Sequence, residues 1–108
     1  MIDTFNILLI VWLHFVGDFI LQNSWTDFYK DKKNLALLTH TGAYSILFFF
    51  ISAKYAVVNG ILHGITDWIT SRISSKLWEK DNKHWFFVVI GLDQAIHITT
   101  LILTLFLI

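Results

Sequence analysis

The sequence predicts an all-α protein, an integral membrane four-helix bundle. Three observations carry that expectation. Of the 108 residues, 56% are hydrophobic and only 15% charged, where a soluble domain carries about 25% charged residues. Mean hydropathy is +0.62. Four apolar stretches each come near the roughly 20 residues that a helix needs to cross a bilayer. The length excludes a large soluble enzyme, and the hydrophobicity excludes disorder. There is no cysteine, which excludes a disulfide scaffold, a zinc–thiolate site and thiol catalysis. There is no proline either, so nothing demands a kinked helix. Eight basic residues balance eight acidic ones, and bulk attraction to nucleic acid is not expected.

The first span is expected over about 5–22, the second over 35–52, the third over 55–75 and the fourth over 85–108. The third carries Asn59, His63, Asp67, Thr70 and Ser74 on one helical stripe, which suits a polar face turned into a bundle. The start, Met1-Ile2-Asp3-Thr4, has no basic segment and no small-residue cleavage site, so a removable signal peptide is not expected. Two hydrophilic loops, about 23–34 and 76–84, hold Lys30, Lys32, Lys33, Lys76, Lys80 and Lys83. Four antiparallel spans put both loops on one side. The positive-inside rule makes that side cytoplasmic in an inner-membrane, multi-pass protein with both termini outside. Trp25, Tyr29, Trp78 and Trp85 flank the boundary where an aromatic belt is expected. No Gly/Ser-rich or Pro-rich linker divides the chain, so residues 1–108 form one transmembrane domain.

Ionisable groups at mid-membrane cost several kcal/mol unless paired or bound to an ion. This chain places seven there: His14, Asp18, His40, His63, Asp67, Asp93 and His97. Six of them form three i,i+4 pairs, each on one helical face. In spans one and three the order is His then Asp; in span four, which runs the other way, it is Asp then His. Antiparallel folding therefore brings the three aspartates into one layer near the cytoplasmic side, with their histidines about one turn deeper. His40, near the start of its span, joins the aspartate layer. Four-helix bundles build di-metal centres from such inward-facing ligands. Gly17, Gly42, Gly64 and Gly91 lie beside these residues, where small side chains let helices approach. A metal-free polar network or proton relay is the alternative for the same residues.

Imidazole and carboxylate without thiolate suit Zn, Mn or Fe. Seven ligands exceed one tetrahedral zinc, so one or two divalent ions are expected. Two would bring four positive charges against three carboxylates, leaving a surplus for hydroxide or phosphate. Gln22, Asn59 and Gln94 neighbour the cluster and suit holding a ligand or substrate, with helix–helix polar pairing as the other reading. Arg72 and Lys30 lie toward the cytoplasmic interface. Arg72 suits bidentate contact with a phosphate, or snorkelling to headgroups. His84 sits in a loop outside the layer.

The ordered motifs are His14-x3-Asp18-Phe19 with Leu21-Gln22, Lys30, His40, Asn59-x3-His63-x3-Asp67 and Asp93-Gln94-x2-His97. Over nearly the whole chain they resemble a small family of bacterial and phage polytopic membrane proteins of unknown function. The chain is also distantly similar to bacterial membrane-bound metal-dependent hydrolases. The resemblance implies that these His, Asp and Gln positions are the functional ones. The expected activity is metal-dependent hydrolysis of a phosphate ester or anhydride, on a lipid or a nucleotide, with a site opening to the cytoplasm. Asp18 or Asp93 is the candidate general base. The alternatives are a metal-ion or proton carrier, a metal-stapled structural or host-interaction membrane protein, and a bis-histidine heme protein. The aspartate beside each paired histidine argues against the last.

Overall fold

The computed structural model describes residues 3–21 and 34–107. Every regular element among them is helical: α1 (Thr4–Phe15), a π-helical turn (Val16–Ile20), α2 (Asn34–Ile46), α3 (Ala53–Glu79) and α4 (Lys83–Leu107). Local chemistry sets several of the ends. Asp3 caps α1 by accepting from the Asn6 amide at 2.8 Å, and Ser52 caps α3 by accepting from the Tyr55 amide at 3.0 Å. Both satisfy a backbone donor that the first helical turn leaves unpaired. α3 and α4 meet in a three-residue hairpin. Asp81 takes a left-handed backbone with φ 56°. Its amide bonds the Trp78 carbonyl at 3.0 Å, and the Asn82 amide bonds that of Leu77 at 2.9 Å. This is the Schellman arrangement, with an aspartate where glycine is usual.

The second expected span is not one helix. α2 stops at Ile46, and the chain continues to Ile51 in turns held by i→i+3 bonds, such as Phe48 N to Ser45 O at 3.0 Å. Tighter winding of this kind is common at helix C-termini. Here it packs Phe48 between Tyr44 and Tyr55, with ring centroids 5.1 and 6.0 Å away, and leaves Ser52 free to start α3. The third helix is longer than expected, at 27 residues. Among the described helices, α4 alone is both long and apolar enough to cross a membrane, judged by length and composition; residues 4–20 form a shorter apolar stretch. The polar stripe of α3 keeps it below that standard despite its length.

The interior is polar and the exterior apolar. Among the described residues thirteen buried side chains are polar or charged and eight are apolar, while Phe5, Trp12, Leu38, Ile46, Ile61, Phe87 and Phe106 are all more than half exposed. The apolar core is a compact plug of Ile10, Tyr44, Phe48, Tyr55, Ala56 and Leu101. The His and Asp side chains lie between this plug and the α3–α4 hairpin.

Close helix approach is concentrated at a few glycines. A Cβ on Gly17 would stand 2.8 Å from the Tyr44 ring, one on Gly64 3.2 Å from Thr41, and one on Gly60 2.8 Å from Ser45 Oγ. Gly42 and Gly91 face nothing within 4 Å, so they do not serve the contact role expected of them. Ser45 cannot easily yield at Gly60, because its hydroxyl donates to the Ala56 carbonyl at 2.7 Å. Gly60→Ala should therefore destabilise the protein by about 1–3 kcal/mol, as overpacking does. Gly42→Ala should be neutral or stabilising by up to about 1 kcal/mol. Unfolding midpoints of the two variants should separate; coincident midpoints would contradict the packing described.

Candidate metal centre

The helical repeat puts His63 and Asp67 on one face of α3, and Asp93 and His97 on one face of α4. Each pair makes its own contact, at 3.2 and 3.1 Å. The third pair behaves differently. Beyond Phe15 the chain passes into the π turn, closed by Leu21 N to Val16 O at 2.9 Å, and His14 lies 4.0 Å from Asp18. The i→i+5 bond inserts an extra residue into that turn, a device that occurs often at functional sites. It carries Asp18 toward α2 and α3. All seven predicted residues are buried, and contacts between the four helices bring them together.

Four of them surround one point. His40 Nε2 lies 3.0 Å from Asp18 Oδ1, 3.1 Å from Asp67 Oδ2 and 3.0 Å from His63 Nε2. His63 Nε2 lies 3.4 Å from Asp18 Oδ1 and 3.2 Å from Asp67 Oδ2. A tetrahedral shell with bonds of about 2.0–2.2 Å has edges of roughly 3.3–3.6 Å, so these separations are somewhat shorter than the edges of a ligand shell. Hydrogen bonds, from His40 Nε2 to Asp18 Oδ1 and between the His40 and His63 Nε2 atoms, account for only part of them. One ring nitrogen carries at most one proton, yet His40 Nε2 has three polar neighbours. Asp67 Oδ2 has no aligned hydrogen bond although two ring nitrogens flank it. The four ligand atoms lie within 4.8 Å of one another, close enough to hold one metal ion.

A second group adjoins the first. Asp18, Asp93 and His97 also offer ligand atoms within 4.8 Å of one another. His97 Nε2 is 3.1 Å from Asp93 Oδ2 and 2.9 Å from Asp67 Oδ1. Asp18 and Asp67 thus both reach from the first group toward the second, Asp67 through Oδ1 to His97.

The surroundings hold these groups in place. His63 is stacked between the rings of Tyr44 and His97, at centroid distances of 3.7 and 4.0 Å. Its Nδ1 has no hydrogen-bond partner among the described residues, so stacking orients the ring where a hydrogen bond usually orients a ligating imidazole. Thr70 donates to Asp93 Oδ1 at 2.5 Å. Gln94 is central: its amide nitrogen lies 2.8 Å from Asp18 Oδ2 and 3.1 Å from Asp93 Oδ2, and its carbonyl oxygen 2.7 Å from His14 Nε2. The two carboxylates take the NH₂, leaving the carbonyl to accept from His14 Nε2–H. His14 Nδ1 then accepts from the Tyr44 hydroxyl at 2.8 Å. His14 therefore stands beside the two ligand groups, with both ring nitrogens engaged.

Other expected positions lie apart. Asn59 donates to Thr104 at 2.9 Å and to the Tyr55 carbonyl at 3.0 Å, a turn of α3 away from His63 toward the apolar plug. That is the helix–helix pairing and not a contact with the centre. Arg72 donates to the Trp68 carbonyl at 2.8 Å and lies 4.4 Å from that indole's centroid, on the exposed face of α3. Its guanidinium points away from the aspartates, because position 72 falls on the opposite side of the helix from the polar stripe. His84 is exposed and apart from the cluster, in the first turn of α4 and not in a loop. Gln22 and Lys30 lie outside the described residues. A groove of about 640 Å³ between α2 and α3, lined by Leu37, Ile61, Gly64 and Trp68 among others, includes none of the His or Asp donors.

Tyr44 and Thr70 were not singled out by sequence reasoning as parts of the site. Their spacing carried a signal: Tyr44 follows His40 by four residues and Thr70 follows Asp67 by three, so each shares its neighbour's face. No family model matches the chain, and no curated protein or solved structure matches it either. Tyr44→Phe keeps the stack on His63 and strips the donor from His14 Nδ1. It should cost about 0.5–1.5 kcal/mol. Tyr44→Leu also loses the ring contacts and should cost distinctly more in the same unfolding assay; equal costs would show that the hydroxyl and not the stack is what matters.

Proposed function

We propose that this protein is a multi-pass membrane protein whose His/Asp centre holds one or two divalent ions, Zn, Mn or Fe, and hydrolyses a phosphate ester or anhydride. The observation that carries the reading is the convergence of His40, His63, Asp18 and Asp67 on one point at separations of 3.0–3.4 Å. The inverted interior supports placing it in a bilayer: exposed aromatic and aliphatic side chains suit lipid, and a buried polar core needs helices to enclose it. It is also the reading that the motif resemblance favours.

Divalent ions bound here would supply an activated water and polarise a phosphoryl oxygen. The chain's own groups divide the remaining work. Asp93 is the most exposed of the three carboxylates, at 7% against 4% for Asp18 and 1% for Asp67, and it suits the role of general base better than Asp18. Thr70 fixes its orientation through Oδ1, leaving Oδ2 to face the second group. Asp67 is enclosed by three imidazoles and serves as a ligand. Beyond Asp67, Thr70, Ser71 and Ser74 extend the polar stripe toward the α3–α4 hairpin, and the Ser71 hydroxyl has no partner among the described residues. A phosphorylated lipid headgroup or a nucleotide would approach along that stripe, from the lysine-bearing side. On the opposite side, the apolar plug separates the centre from the chain ends. A carrier needs its site to connect with both faces, so the plug favours an enzyme, or a metal staple between helices, over a metal or proton carrier.

His63→Ala and Asp67→Ala should each lower bound metal, measured by elemental analysis of the purified protein. Each should lower phosphate release from a panel of esters and anhydrides at least about 100-fold, the upper end of what even outer-shell partners of a metal contribute. Robust hydrolysis by either variant would sink the proposal. Metal binding and metal-dependent folding without hydrolysis of any ester would leave the staple.

A further inference from the structure

The two ligand groups are not equivalent, and the difference lies in Gln94. In the first group no side-chain amide among the described residues stands between the converging atoms, and Asp67 Oδ2 has no hydrogen bond there. In the second, the Gln94 NH₂ sits between the two carboxylates, 2.8 Å from Asp18 Oδ2 and 3.1 Å from Asp93 Oδ2. These are hydrogen bonds to charged acceptors, the stronger kind. The orientation of the amide is held from behind, because its carbonyl oxygen accepts from His14, which Tyr44 holds in turn. An amide can satisfy the hydrogen-bonding capacity of two carboxylates without neutralising them. It occupies the place a second cation would take.

Resting on the metal-dependent reading above, we infer that Gln94 competes with the second divalent ion for Asp18 and Asp93, so that the centre fills in order: a tightly held ion at His40, His63, Asp18 and Asp67, then a weaker, exchangeable one at Asp93 and His97. For the second ion to take both carboxylate oxygens, the amide must give up two hydrogen bonds. That cost falls on the second ion alone. When the amide withdraws, its carbonyl leaves His14, so filling of the second position is coupled to the His14–Tyr44 pair. Gln94 is a positioning residue in this scheme, acting through the carboxylates it holds.

Calorimetric titration of the chelator-stripped full chain with Zn²⁺ tests the inference. The wild type should bind one equivalent tightly and a second at least about tenfold more weakly. Gln94→Ala should tighten the second step by about tenfold and leave the first within a factor of about three. Gln94→Met, similar in volume and without donors, should do the same and serves if the alanine variant fails to fold. His40→Ala should remove the tight step, which identifies it. Two steps of equal affinity in the wild type would overturn the inference. So would a second step unchanged or weakened in both Gln94 variants, which would make the amide a ligand or a scaffold; in either case metal binding itself would stand. A wild type that takes up no Zn²⁺ would remove the metal-dependent reading and this inference together.

Discussion

Burial of Asp67 is the constraint on which the rest of the structure depends. A carboxylate taken out of water costs several kcal/mol unless its surroundings replace the lost hydration. Asp67 is 1% exposed, and its two oxygens lie within 2.9–3.2 Å of ring nitrogens from His40, His63 and His97. Those three histidines come from α2, α3 and α4. One buried charge thus ties three helices at a defined depth, and Asp18 brings in the fourth through His40. The same carboxylates that make the interior unfavourable when unpaired are the ones that organise it when surrounded.

The remaining features serve that convergence. The π turn moves Asp18 out of the register of His14 and toward α2. Gly17 lets the end of α1 lie against Tyr44, and Gly60 and Gly64 let α3 lie against Ser45 and Thr41. The aromatic stack of Tyr44, His63 and His97 stiffens the imidazoles in the absence, among the described residues, of a hydrogen bond to His63 Nδ1. Below it lies the apolar plug, and low-dielectric surroundings strengthen electrostatic interactions between buried groups. Polarity is graded along α3 itself, from the apolar plug at Tyr55 and Ala56, through His63 and Asp67, to the hydroxyls of Thr70, Ser71 and Ser74.

Much of this centre was legible along the chain. The helical repeat alone puts His63 with Asp67 and Asp93 with His97. The reversal of their order between α3 and α4 places the aspartates in one layer, because antiparallel helices invert sequence order in space. An all-helical fold follows from the apolar composition and the lack of proline. What stayed illegible depended on side chains from different helices meeting. Gln94 was legible as a neighbour of Asp93 suited to holding a ligand or substrate, but its contacts with Asp18 and His14 were not, since they lie 76 and 80 residues away. Asn59 shares the stripe of His63 and Asp67, yet its depth sets it against Thr104. Arg72 lies close in sequence to Asp67 but on another face of the helix. The turns at 47–51 were not legible, because hydropathy does not distinguish an α-helix from tighter i→i+3 winding.

Composition and periodicity by themselves determined that the chain is helical, that its interior must hold charge, and which faces carry the His and Asp residues. These are properties of one helix at a time, set by the 3.6-residue repeat and the solvation of side chains. Tertiary structure decided the rest: which oxygen faces which imidazole, where the backbone widens at Val16–Ile20, and that a glutamine amide stands between Asp18 and Asp93. Such contacts depend on the relative rotation and depth of separate helices to within about an ångström, which close packing settles and a one-dimensional pattern does not contain.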